Sequence, residues 1–168
     1  MEDNPMRRIS IEKLTINVGV GEPGDKLEKS KRLIERLTNT KAVITNAKKK
    51  IPGFKIRPGL PIGIKATIRK NAVELLKRLL ESVENTIKAS SFNGRNLSFG
   101  IDEYIHIPGM DYDPSIGVIG LEVTVTLKRP GYSIASRKFK RGVVGKNQLI
   151  TNDEAINFFK KNFGVKIV

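Results

Sequence analysis

The stretch NAKKKIPGFKIRPGLPIGIKATIRK, residues 46–70, decides the fold class. From Ile62 to Arg69 it alternates Ile62, Ile64, Ala66 and Ile68 with Gly63, Lys65, Thr67 and Arg69. A period of two puts the apolar set on one face of a β-strand and the polar, basic set on the other. Burial on one side only is the pattern of an antiparallel sheet, because parallel strands are buried on both faces. The first half is broken by Pro52, Gly53, Pro58, Gly59 and Pro61, which predicts a turn-rich basic loop over 46–61. The whole stretch carries eight basic residues (Lys48, Lys49, Lys50, Lys55, Arg57, Lys65, Arg69 and Lys70), no acid, and one aromatic, Phe54. Positive charge beside a single ring is what a ribonucleic acid backbone with a stacking base would select.

Outward from there, residues 42–45 predict a short strand leading into the loop. Residues 9–18 predict a strand whose apolar phase changes near Glu12–Lys13, as a bulge requires. Lys26 to Thr38 predicts a helix with Leu27, Ile34 and Leu37 on one face, Asp25 as N-cap and Asn39 closing it. Residues 71–88 predict a second helix, capped by Asn71 and lined by Val73, Leu76, Leu79, Leu80, Val83 and Ile87. SSFNGR predicts a turn, 97–107 a strand region, and Val118 to Lys128 the clearest strand of all. Residues 128–150 lack periodicity and predict an excursion; Thr151 with Glu154 predicts a capping box for a last helix. The order predicts an α+β fold: a mostly antiparallel five-stranded sheet with helices packed on one face, in a single domain over 1–168.

Charge is segregated. No acid occurs between Glu35 and Glu74, or between Glu122 and Asp153, and these two windows hold 17 of the 31 Lys and Arg. The net charge of +14 therefore belongs to two surfaces rather than to the whole, which points to a polyphosphate partner. The basic residues fall on loops and strands, not on one face of an amphipathic helix, so a membrane surface is disfavoured. RNA is favoured over DNA, since no helix offers a basic face to a major groove. No run approaches the roughly 20 apolar residues that span a bilayer. The N-terminus lacks the apolar core of a secretory signal, and an intracellular protein is expected.

Catalysis finds little support. There is no Cys, and His106 is the lone His, so thiolate and paired-His sites are excluded. Asp102 and Glu103 are adjacent and would face opposite ways on a strand. Asp111 and Asp113 suit a Pro/Gly turn. No enzyme activity, metal or cofactor is expected. Gly19-Val20-Gly21-Glu22-Pro23-Gly24 does match the dinucleotide turn G-x-G-x-x-G between a strand and a helix. The acid due about 20 residues later is missing, and Pro23 removes one N–H from the cradle. An NADP-binding oxidoreductase domain stays as the alternative.

INVGVGE (16–22), AKKKIPGFKIRPGLPIGIKATIR (47–69), SFNGRNLSFGI (91–101) and MDYDPSIGVIGLEVTVT (110–126) closely resemble, in order, the large-ribosomal-subunit protein five family, uL5-type. The short N-terminus, the 128–150 excursion and the ending NFFKKNFGVKIV resemble its archaeal and eukaryotic branch. The resemblance implies a structural constituent of the cytoplasmic ribosome whose open sheet face packs on 5S rRNA. It implies rRNA contacts at Asn17, Thr40, Phe54 and Thr67, where Thr40 replaces the family's usual Gln; Lys65 and Arg69 share the strand face with Thr67. It implies that the loop bearing Lys48, Lys49, Lys50, Lys55 and Arg57 reaches peptidyl-site tRNA as a mobile arm. The further partners implied are 23S-type rRNA, other central-protuberance proteins, and a small-subunit head protein across the intersubunit bridge, met near Met110–Ser115.

Overall fold

The computed structural model describes residues 4–114 and 116–168. Six strands form one antiparallel sheet: β1 (Ser10–Gly19), β2 (Val43–Asn46), β3 (Pro61–Ile68), β5 (Phe92–Asn93), β6 (Asn96–Ile101) and β7 (Leu121–Lys128), in the order β2-β3-β1-β7-β6-β5. The helices are α1 (Asp25–Thr38), α2 (Ala72–Glu81), α3 (Ser133–Ser136) and α4 (Asn152–Phe163). Two further short strands, β4 (Thr86–Ile87) and β8 (Lys166–Ile167), pair in parallel away from this sheet.

Register sorts the faces. Leu14, Ile16 and Val18 of β1 stand opposite Ile68, Ala66 and Ile64 of β3, and Leu14 and Ile16 opposite Val125 and Val123 of β7. All are buried, together with Leu97 and Ile101 of β6. Against this face α1 sets Leu33, Ile34 and Leu37, α2 sets Leu75, Leu76, Leu79 and Leu80, and α4 sets Ala155 and Phe159. Phe159 meets Phe92 of β5 edge-on at 5.8 Å, which fixes α4 over the far edge of the sheet.

The expected bulge is present: Ile11 pairs with Leu127 and Lys13 with Thr126, leaving Glu12 as the extra residue. The sixth strand, β5, is the departure from the expected five. Phe92 and Asn93 pair with Leu97 and Asn96 across Gly94 and Arg95, so the expected SSFNGR turn is a tight hairpin. Helix α1 begins one residue early, with Gly24 rather than Asp25 as N-cap, because Gly24 enters at φ 141, a conformation only glycine takes freely. Asn71 precedes α2 in the left-handed region but makes no side-chain cap bond. Helix α2 stops at Glu81 instead of running to 88. Glu84 and Asn85 are both left-handed, and the Asn85 N–H donates to the Leu80 carbonyl at 2.9 Å, closing the helix. Ile87, spaced to look like one more helical turn, is buried in β4.

The expected strand at 97–107 ends at Ile101. The chain then turns so that Tyr104 enters the core and its hydroxyl accepts the Asp113 N–H at 3.0 Å. His106 closes that turn, exposed, rather than lying on a strand. At α4 the capping box forms as expected: Glu154 N–H donates to Thr151 Oγ1, and Thr151 N–H to Glu154 Oε2.

Candidate nucleic-acid interface

The face of the sheet away from α1, α2 and α4 carries the other half of each alternation. One row runs Lys65–Asn17–Glu122–Gly100 across β3, β1, β7 and β6. The neighbouring row runs Thr67–Thr15–Thr124–Ser98. Ser98 and Thr124 hydroxyls are 3.2 Å apart, and Asn17 Nδ2–H donates to Glu122 Oε2 at 3.1 Å. Hydroxyls, an amide and a lysine on a pleated surface present donors and acceptors at strand spacing, suited to sugar hydroxyls and phosphate oxygens. Glu122 repels phosphate, while Lys65 at the other end of its row supplies positive charge, and the carboxylate can accept from a base amino group.

Beyond the Asn17 row the surface is bare. Gly19 faces Gly63 across β1 and β3, while Gly100, the last member of the Asn17 row, and Gly120 lie on the far side. With Asn17, Asp102 and Glu122, Gly19, Gly100 and Gly120 border a shallow depression of about 430 Å³. Gly63 is glycine for an internal reason, since a Cβ there would stand 2.8 Å from the Val18 carbonyl oxygen. Gly120 is similar, at 3.0 Å from the Asp102 carbonyl oxygen. At Gly19 and Gly100 a Cβ would meet nothing within 4 Å, and neither has a positive φ. Gly100 inside β6 and Gly19 at the end of β1 thus leave room on this face for another surface to approach the backbone closely.

The basic loop is a hairpin that prolongs β2 and β3. Ala47 N–H donates to the Leu60 carbonyl at 2.8 Å, and Ile51 and Ile56 exchange both backbone bonds at 3.0 and 3.2 Å. Pro52–Phe54 form a single 3-10 turn at the tip, and Lys55 follows at φ 54. Lys48, Lys49, Lys50, Lys55 and Arg57 are all exposed, and none pairs with an acid among the described residues. Phe54 is 76% exposed, so it is no core residue and its ring is open to a partner. Arg69 stands exposed just beyond β3.

These residues divide into two groups. Asn17, Lys65 and Thr67 share the open face, and the loop cations and Phe54 share the hairpin. Thr40 joins neither: it lies between α1 and β2, where its hydroxyl donates to the Thr38 carbonyl at 3.0 Å. Profiles for Ribosomal protein L5 and for the ribosomal L5P family C-terminus match residues 4–57 and 61–158 respectively.

The chain belongs to the ribosomal protein L5 family.

Large ribosomal subunit protein uL5 of Nanoarchaeum equitans is 51% identical over 168 residues, 99% of each chain. The uL5 of Sulfolobus acidocaldarius is 47% identical over 169 residues, and that of Methanococcus maripaludis 44% over 172; each alignment spans 99% of this chain and 95% of the relative. It is a family of structural ribosomal proteins and not of enzymes. The two matched segments meet in the basic hairpin, and β1 and β2 from the first pair with β3 and β7 from the second.

The dinucleotide alternative fails on the same geometry. β1 is antiparallel to both neighbours, so no parallel β-α-β unit surrounds the Gly19–Gly24 turn. Val20 and Gly21 N–H groups both donate to the Ile62 carbonyl, at 2.9 and 2.8 Å, and are not free for a pyrophosphate. Asp25 and Glu28 add negative charge to the first turn of α1. Among the described residues no group of three or more His, Asp or Glu is placed to hold a metal.

Sequence reasoning passed over the hydroxyl row of Thr15, Thr124 and Ser98, the carboxylate of Glu122 and the bare glycines at 19 and 100. A signal existed for the glycines, which interrupt otherwise regular strand alternation. Knowing that they converge needs the register.

Proposed function

We propose that this chain is a structural, RNA-binding constituent of the large subunit of the cytoplasmic ribosome, holding 5S rRNA on its open sheet face. The observation that carries this is the open face itself: three paired strands present Lys65, Asn17, Thr67, Thr15 and Thr124 with no α1, α2 or α4 above them. The relatives' shared description as large ribosomal subunit proteins supports the setting. Phosphates pair with Lys65 and Arg69, sugars with the hydroxyl row, and the backbone comes closest over Gly19 and Gly100.

The hairpin extends the same positive charge away from the sheet. Its exposed Lys48, Lys49, Lys50, Lys55 and Arg57 suit a second polyanion, which in this assignment is peptidyl-site tRNA, while Phe54 stacks on a base of 5S rRNA. The segment Met110–Ser115 is assigned to the small-subunit head protein: Met110 anchors it in the core, Asp111 and Tyr112 are exposed, and Ser115, at its end, lies outside the described residues. Large-subunit rRNA and neighbouring central-protuberance proteins take the remaining surfaces. Thr40 is withdrawn from direct base recognition toward a water-mediated contact, since its hydroxyl is already engaged.

Titration of 5S rRNA at increasing salt tests this. Affinity should fall linearly on a log–log plot, by about 0.7–0.9 per phosphate contacted. It should exceed affinity for an unrelated RNA of equal length at every salt concentration. Equal affinity for both RNAs would refute the specific assignment.

A further inference from the structure

The second basic window holds a site that neither the sheet face nor the hairpin explains. Residues 129–150 leave β7 and return to α4. The base of this excursion is anchored: Arg129, 3% exposed, donates to Glu154 Oε1 at 2.6 Å and to the Leu149 carbonyl at 3.2 Å. Tyr132 and Gln148 reinforce it, the Tyr132 hydroxyl donating to the Gln148 carbonyl at 2.8 Å and Gln148 Nε2–H to the Met6 carbonyl at 2.6 Å.

The tip is built differently. Arg137 Nε–H donates to the Lys140 carbonyl at 2.7 Å, and Arg141 Nε–H donates to the Ala135 carbonyl at 2.6 Å. Each guanidinium is thus fixed by its inner nitrogen, and its two outer nitrogens have no partner among the described residues. Gly142 N–H donates to the Ile134 carbonyl at 3.2 Å and Lys140 turns the chain at φ 48, which closes the loop behind them. Between the arginines Phe139 is 75% exposed, with Lys138 Nζ 5.5 Å from the ring centroid. A large ring held in water between two pre-oriented guanidinium forks contributes little to folding. It is the arrangement that stacks a base and pairs with the phosphates on either side of it.

We propose that residues 135–141 form a second RNA contact in which one unpaired nucleotide stacks on Phe139 and its flanking phosphates pair with Arg137 and Arg141. The proposal rests on the assignment of the chain as an RNA-binding protein and adds a site and a ligand class to it. An anionic membrane is the less suitable partner. Helix α3, beside the tip, has four residues, about one turn, which is too short to lay an amphipathic face along a bilayer. The absence of acids between Glu122 and Asp153 leaves nothing in the window to repel phosphate.

The chain has no Trp, so Phe139→Trp gives a fluorophore confined to this tip. A short oligouridylate should quench its emission, and an abasic oligomer with the same number of phosphates should not. Adding Arg137→Lys and Arg141→Lys keeps the charge but removes the fork, and should raise the oligouridylate concentration needed by about tenfold. No quenching, equal quenching by the abasic oligomer, or no effect of the two lysines would overturn the proposal. So would a blue shift with phosphatidylserine vesicles in the absence of quenching by RNA, which would assign the tip to membranes. Gly19→Val should weaken 5S rRNA binding and leave the quenching intact. Both lost together would overturn a separate contact, whereas quenching in a Phe139→Trp chain that keeps Gly19 and yet does not bind 5S rRNA would count against the sheet-face assignment alone.

Discussion

Valine at Gly19 or Gly100 should leave the protein folded and damage its binding of RNA. A Cβ at either position meets no atom within 4 Å, and the backbone at both is open to any residue. Replacing a strand glycine with a β-branched residue removes an entropic cost and should stabilise the chain by about 0.5–1 kcal/mol. For a chain of this size that raises Tm by about 1–4 °C. Gly63, on the same face, supplies the control. There a Cβ would sit 2.8 Å from the Val18 carbonyl oxygen and 3.1 Å from Thr45 Oγ1, so the strands must shift at a cost of about 1–3 kcal/mol. Gly63→Val should therefore lower Tm by roughly 2–12 °C. For 5S rRNA, Gly19→Val and Gly100→Val should each weaken binding by at least about tenfold, or 1.4 kcal/mol, by holding the RNA off the floor of the depression. Thermal melts and filter binding at one salt concentration read both quantities. Stable Gly19→Val and Gly100→Val proteins that bind 5S rRNA at full affinity would refute the claim that these glycines are kept bare for RNA.

Phe54→Ala should cost about 1–3 kcal/mol in RNA affinity and leave Tm unchanged, because the ring is mostly in solvent; filter binding and a melt of the same preparation check both. Glu154→Ala should destabilise the protein by about 3 kcal/mol in urea unfolding, since it strands the buried Arg129 guanidinium. Arg129→Met should be near neutral, because it removes the charge along with its need for a partner. Burial raises the Glu154 pKa, but the Thr151 N–H and the Arg129 guanidinium outweigh it and hold the carboxyl below the ordinary range. A carboxyl whose folded pKa is depressed stabilises the fold above its unfolded value and loses that contribution as pH falls through the folded one. Urea midpoints should therefore drop below about pH 4.5, and Glu154→Gln should flatten that acid limb.

Legibility followed period and local chemistry. The alternation of Leu121 to Leu127, the phase change at Glu12 and the Thr151–Glu154 cap all act within a few residues, and each is present. What resisted was set by distant partners. Val83 and Ile87 keep a helical spacing, yet Ile87 leaves the helix because β8, some 80 residues later, pairs with it. Phe92 reads as part of a turn until Phe159 of α4 gives it somewhere to pack. At the interface, Lys65 and Thr67 were legible as the outer face of an alternating strand, and the loop cations as an acid-free run. Glu122 was not, since only pairing across three strands brings its carboxylate to Asn17. Thr40 matches the family only by position, and the structure turns its hydroxyl back on the Thr38 carbonyl.

If 5S rRNA lies on the open face and not on the helical one, only a reagent tethered to the open face will cut it. The chain has no Cys, so a cleavage reagent can be tethered at one introduced thiol at a time. Ser98→Cys places it on the open face, and Glu28→Cys places it on the exposed side of α1. With bound 5S rRNA, cleavage confined to one short region from Ser98→Cys and none from Glu28→Cys is the predicted result. Cleavage from Glu28→Cys that equals or exceeds cleavage from Ser98→Cys would contradict it.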